Sequence, residues 1–157
     1  MKTCLVGCGG IAAVHGSVLT SGIDTEFVAA ADIKPEKAQS YAENFHTKPY
    51  PSLESMLDAE KPDVLHICTP HYLHVPMAIY SLERNINVFM EKPPAISFDQ
   101  LEELKKAAAK SEAQLGFCYQ NRYNASIRAA KDLIDSGKAG KVLGARAFVT
   151  WCRGAAY

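Results

Sequence analysis

Short apolar runs alternate along the chain with stretches in which apolar residues recur every three or four positions. The runs are "TCLVG" (3–7), "EFVAAAD" (26–32), "DVLHICT" (63–69), "NVFME" (87–91) and "QLGFCY" (114–119), with a brief one near Lys48–Tyr50. Several are apolar nearly throughout, which is the pattern of strands buried on both faces of a parallel sheet. Helices are predicted between them. One runs from Gly9 to about Ser21, and another starts at Pro35, whose fixed φ suits a first turn and which Glu36 follows to suit the helix dipole. A short helix covers about Ser52 to Ala59. The next starts near His74 or Val75, because Pro76 must fall in a first turn, and its apolar face is Val75, Ala78, Ile79 and Leu82. Ser97 and Gln100 form a capping box for a helix from Phe98 to about Lys110. Repeated βα units of this kind predict an α/β fold, a doubly wound parallel sheet of the Rossmann type with right-handed crossovers.

The pattern changes after Tyr119. A helix is predicted from about Ala125 to Ser136, with Ile127, Ala130, Leu133 and Ile134 on one face and Gly137 as its stop. Then "KVLGARAFVTW" (141–151) alternates, with Leu143, Ala145, Ala147, Val149 and Trp151 sharing a face, as in a half-buried strand of a different sheet. The boundaries are therefore 1–120 for the α/β domain and 121–157 for the opening helix and strand of a second, α+β domain. That strand has no hairpin partner, so it is expected to pair with, or pack on, another molecule.

Composition narrows the function. The 157 residues are 48% apolar, enough for a sizeable core, and 17 Lys and Arg balance 17 Asp and Glu. Zero formal charge gives no electrostatic case for nucleic acid or an anionic membrane. "MKTCLVGCGG" lacks the apolar segment of a signal peptide. The five cysteines are odd in number and form no CxxC pair, which favours a reduced cytoplasmic setting over a disulfide scaffold or a zinc site.

Candidate chemistry lies at the ends of the strands. "GCGGIA" (7–12) reads G-x-G-x-x-A between the first strand and the first helix. Gly7 allows the tight turn, Gly9 lets backbone approach a pyrophosphate, and Ala12 lets helix and strand pack closely. Asp32 lies twenty residues beyond Ala12, at the end of the second strand. A carboxylate there can accept from both ribose hydroxyls of NAD and repels the extra phosphate of NADP, although Lys34 is near enough to meet one. The bland alternative is a glycine-rich turn beside an ordinary Asp. In "CTPHYLH" (68–74), Pro76 delays the helix, so Thr69 to Leu73 form a loop at the carboxyl edge of the sheet, where Thr69 and His71 could touch a cofactor. His74 reads better as loop packing or a cap. "NVFMEKPPAI" (87–96) ends a strand with Glu91 and Lys92 and locks the backbone behind them with Pro93 and Pro94. A Lys there can donate to a substrate hydroxyl or carbonyl during hydride transfer, with Glu91 orienting or neutralising it. An ion pair at a strand end is the plain alternative.

Together, "VGCGGIAAVH" (6–15), "AAADIKPEKA" (29–38), "DVLHICTPHYLHVPMA" (63–78), "VFMEKPPAIS" (88–97) and "CYQNRYN" (118–124) resemble the Gfo/Idh/MocA oxidoreductases in order and spacing. The resemblance implies an NAD-dependent dehydrogenase or reductase acting on sugars, polyols or related compounds, with NADP the lesser cofactor. It implies Lys92 as catalytic. It implies cofactor contacts at Gly7, Gly9, Gly10, Ile11, Asp32, Thr69, Pro70, His71, Glu91, Lys92 and Arg122. Asn121 and Tyr123 are expected to face cofactor or substrate with Arg122, and Arg153 or Tyr157 in "WCRGAAY" (151–157) to approach substrate. The Lys92–Pro93 bond is expected to be cis. Family members continue into a large antiparallel sheet that carries a His acid/base, and no residue here matches it. The chain is therefore expected to be an N-terminal piece that binds cofactor without being catalytically complete, the whole protein forming a homo-oligomer through the second-domain sheet. A non-catalytic nucleotide-binding or sensory module of the same fold is a second reading. A methyl-donor enzyme is a third, since it shares the glycine turn and the acid after strand two, but it gives the TP and EKP stretches no role.

Overall fold

The structure, a computed structural model, describes residues 1–21, 24–150 and 152. The chain divides into two compact units, Met1–Tyr119 and Gln120–Tyr157.

In the first unit the alternation of runs becomes β1 (Lys2–Val6), α1 (Ala12–Leu19), β2 (Glu26–Ala31), α2 (Pro35–Phe45), β3 (Lys48–Tyr50), α3 (Leu53–Glu60), β4 (Val64–Ile67), α4 (His74–Leu82), β5 (Asn87–Glu91), α5 (Phe98–Lys110) and β6 (Leu115–Cys118). The strands form one sheet in the order β3-β2-β1-β4-β5-β6, and every pairing is parallel. Two-residue periodicity assigns the faces. Cys4 and Val6 of β1, Leu65 and Ile67 of β4 and Val88 and Met90 of β5 pack with α3, α4 and α5. Leu5 and Ala30 turn the other way, against Ala12 of α1 and Tyr41 of α2. The central strands are thus buried on both sides, as their apolar runs require. The edge strand β3 is short and carries Pro49, which blunts its free edge.

The helix boundaries follow local chemistry. Ser52 and Ser97 each accept from the backbone N–H three residues on, at 3.2 Å. The Gln100 side chain closes its capping box one residue further back than expected, accepting from the Ile96 N–H. α1 is shorter than the expected run from Gly9 to Ser21, because Gly9 to Ile11 form the turn that leads into it.

The second unit holds a 3₁₀ turn, Gln120–Tyr123, and α6 (Ala125–Asp135), which ends where Gly137 takes φ +73°. The strand expected over 141–151 does not form in residues 141–150, and Trp151 lies outside the described residues. A strand exists through its ladder, and among the described residues no β-strand lies in this unit to supply one. Alternation alone marked a face without a partner. Among the described residues no helix is long and apolar enough to cross a membrane.

Glu60, at the end of α3, ties that helix to two strands. Its carboxylate lies 2.9 Å from both Lys2 Nζ and Lys48 Nζ, and it accepts from the Tyr50 hydroxyl at 2.6 Å. Those hydrogen bonds, Tyr50's first, bring Glu60 down to about 2. Its contribution to stability is therefore full above its ordinary value of 4.5 and is lost as pH falls toward 2. Glu60→Gln is expected to cost about 1–2 kcal/mol at neutral pH and to flatten the acid limb of a denaturation series. An unchanged limb would show that the acid sensitivity arises elsewhere.

Candidate active site

The carboxyl ends of β1, β2 and β4 lie level, with Val6 paired to both Ala31 and Ile67. The chain leaves β1 toward β2 on one side, and β4 takes the other side, so a crevice opens where the winding direction changes. It has a volume of about 510 Å³, and its lining includes Gly7, Gly9, Asp32, Thr69, Pro70 and Met77. Five positions expected from the sequence thus meet in one cavity.

Gly7 has φ +93°, and a Cβ there would fall 2.7 Å from the Cys68 carbonyl carbon and the Thr69 nitrogen. Its role is the close approach of two strand ends rather than the turn alone. Gly9 and Gly10 differ, since a Cβ on either would meet nothing within 4 Å. They are exposed, as is Ile11, the cap residue of α1. The start of α1 therefore faces open space with unobstructed backbone. Ala12 is fully buried, and its carbonyl accepts from the Tyr41 hydroxyl at 2.7 Å. The tightest helix contact belongs to Gly16, where a Cβ would sit 2.6 Å from that hydroxyl oxygen, a constraint the glycine motif does not include.

Asp32 is anchored by backbone. Oδ2 accepts from the Cys8 N–H and Oδ1 from the Lys34 N–H, both at 2.9 Å. A carboxylate has about four acceptor positions, so each oxygen keeps one for a diol. Burial, reinforced by the Asp32 charge, pushes the Cys8 thiol up to about 12 and keeps it protonated. Lys34 and Lys37 also line the crevice.

Thr69 donates weakly to the Met77 sulfur at 3.7 Å. His71 is exposed in a 3₁₀ turn, outside the lining, with its ring centroid 5.6 Å from that of His74. His74 is fully buried, with ring nitrogens 2.9 Å from the Thr69 carbonyl oxygen and 2.8 Å from that of Pro93. It ties the loop after β4 to the loop after β5, the packing role its sequence position suggested.

Lys92 is exposed just past β5, one strand beyond the crevice on the same edge, and the Lys92–Pro93 bond is cis as expected. Glu91 does not pair with the Lys92 ammonium. It is 5% exposed, and its carboxylate turns inward to His15 Nε2 at 3.0 Å. Burial tends to raise Glu91, but hydrogen bonds from His15 and the Cys118 thiol outweigh it and hold the group below the carboxylate norm. The sequence assigned no role to His15, His66 or Cys118. A signal was available in "DVLHICT", where His66 breaks an apolar strand at a position opposite in parity to Leu65 and Ile67. Asn121, Arg122 and Tyr123 lie in the second unit, all exposed. Arg153 and Tyr157 lie outside the described residues.

Residues 1–119 match the Gfo/Idh/MocA family, described as an oxidoreductase family with an NAD-binding Rossmann fold. The chain is 28% identical over 144 residues to the D-glucoside 3-dehydrogenase of Escherichia coli K12, covering 90% of this chain and 41% of that protein. It is 28% identical to an inositol 2-dehydrogenase/D-chiro-inositol 3-dehydrogenase of Lacticaseibacillus casei, covering 94% and 44%. Among solved structures, the WlbA dehydrogenase of Bordetella pertussis in complex with NADH and UDP-GlcNAcA superimposes with a TM-score of 0.86 at 31% identity, over 90% of this chain and 44% of that one. The chain spans less than half the length of these relatives.

The two glycines make opposite predictions. Gly7→Ala is expected to cost about 3 kcal/mol, combining positive-φ strain with a clash against backbone that cannot yield. Gly9→Ala, pointing into open space, is expected to stay within about 1 kcal/mol. Chemical denaturation of both variants checks this, and equal losses would refute the close-approach role of Gly7.

Proposed function

We propose, for a chain that belongs to the Gfo/Idh/MocA oxidoreductase family, that it forms the NAD-binding half of a dehydrogenase or reductase acting on a sugar, polyol or related substrate. The observation that carries this reading is the crevice at the switch point, with open backbone at Gly9 and Gly10 on one side and the anchored Asp32 on the other. The residues present fit a dinucleotide. Amides at the start of α1 suit a pyrophosphate, Asp32 suits a ribose diol, and Thr69 and Pro70 wall the path toward β5. NAD, when bound, supplies the site that accepts or returns hydride.

In this reading Lys92 stands where the substrate's oxygen would arrive. Its ammonium donates to a hydroxyl or carbonyl and offsets charge that develops on that oxygen as hydride moves. The bond between Thr69 and Pro93 through His74 holds the two loops in one relation, so that Lys92 keeps its place beside the crevice. Asp32 repels a phosphate on the ribose, which supports NAD over NADP despite Lys34 and Lys37. We place residues 1–120 as the cofactor domain and the rest as the opening of a substrate domain. A reducing cytoplasm suits Cys4, Cys8 and Cys68, all present as thiols.

Calorimetric titration tests the reading. NAD is expected to bind this chain more tightly than NADP, and Asp32→Ala to weaken NAD more than NADP. No heat with either nucleotide on a folded sample would overturn it. In a protein that carries the substrate domain, Lys92→Ala is expected to lower kcat by roughly a hundredfold, as for loss of a positioned proton donor.

A further inference from the structure

The face of the sheet beneath α1 is not uniformly apolar. β4 and β5 send Leu65, Ile67, Val88 and Met90 into the core on the other side. His66, Phe89 and Glu91 turn the opposite way and meet His15 from the first turn of α1. His15 uses both ring nitrogens there. Nδ1 lies 3.0 Å from His66 Nδ1, and Nε2 lies 3.0 Å from Glu91 Oε1. The His15 and Glu91 side chains are 6% and 7% exposed. Phe89 closes one flank, its ring centroid 6.0 Å from that of His15 and 5.1 Å from that of His66. Glu91 Oε2 accepts from the Lys92 N–H at 3.3 Å, and the Cys118 thiol of β6 also bonds the carboxylate. The Cys68 thiol, at the end of β4, is held neutral by burial and then by the Glu91 charge.

The facing Nδ1 atoms share a single proton, and with Glu91 ionised and His66 neutral that leaves two arrangements. In the first, neutral His15 donates Nε2–H to Glu91 and accepts from His66 Nδ1–H. In the second, His15 is an imidazolium that donates to Glu91 and to His66 Nδ1, and His66 carries its own proton on Nε2. The two differ by one proton. It arrives on His66 Nε2, while the His66 Nδ1 proton crosses to His15 Nδ1. No hydrogen bond is lost, and His66 stays neutral throughout.

We propose that Glu91, His15 and His66 form a buried proton-holding site that takes up one proton through His66 and so sets the charge around the carboxylate that holds the Lys92 backbone N–H. The site carries one negative charge in the first arrangement and none in the second. Burial, with His15 nearby, brings His66 down to about 4, which favours passing the proton on over keeping it. His15 and His66 are then positioning residues for Lys92, and this consequence rests on the reading of Lys92 as the group that meets substrate. Among the described residues, Cys118 and Cys68 are the other titratable groups that face the carboxylate.

The test is a pH titration of the ¹³C,¹⁵N-labelled chain, following histidine ring nitrogens and the Lys92 ε-carbon by NMR. His15 is expected to gain its Nδ1 proton at the same midpoint at which His66 exchanges the Nδ1–H tautomer for Nε2–H. The Lys92 resonance is expected to inflect at that midpoint. His66 keeping one tautomer, or becoming an imidazolium together with His15, would overturn the proposal, as would a Lys92 resonance without the inflection. His15→Gln keeps an amide donor for Glu91 but has no proton to gain, so it is expected to abolish the inflection, and persistence would overturn the proposal. Should that variant fail to fold, the titration of the unmodified chain still decides. Adding NAD to the same sample separates the two readings, because failure of NAD to bind would remove the cofactor assignment and leave the tautomer exchange standing.

Discussion

Two strand ends must come within backbone contact for the crevice to exist. Gly7 lies so close to Cys68 and Thr69 that no side chain fits between them, and its N–H donates to the Ala31 carbonyl at 2.8 Å on the other flank. β1 is thereby pinned to both neighbours at the level where the chain turns into α1. The position of Asp32, the path of the loop from Thr69 and the direction in which α1 starts all follow from that junction. A wider gap would let the two walls of the crevice move independently.

His74 extends the same constraint one strand further. It lies inside the fold and spans two loops through their carbonyls, so the prolines after Lys92 are not the sole means of holding it. A rigid backbone fixes a segment relative to itself, whereas a buried side chain between two loops fixes one relative to the other.

The fold was legible because parallel strands buried on both faces are apolar nearly throughout, and Gly, Pro, Ser and Asp punctuate the helices between them. The crevice was legible for a related reason. Glycines at G-x-G-x-x-A and an acid at the end of the next strand are local demands that leave local traces. What escaped was lateral. The approach of Gly16 to Tyr41, and the meeting of His15 with His66 and Glu91, join residues far apart in the chain that carry no shared spacing. Glu91 looked like a partner for Lys92 because they are neighbours in sequence, yet successive strand residues face opposite sides and separate them. The misread strand at 141–150 is the converse, since alternation marks a face but cannot supply the ladder that makes a strand.

Lys92 stands two strands from Gly7, because β4 lies between β1 and β5. Neighbouring strands sit about 4.8 Å apart, so the sheet works as a ruler graduated in steps of that length. Loops may lengthen and side chains may change, yet the offset between the glycine turn and the lysine can shift only by whole strands or by a slip of register, and either would dismantle the core. The spacing between the two is therefore set by a count of strands and not by any side chain.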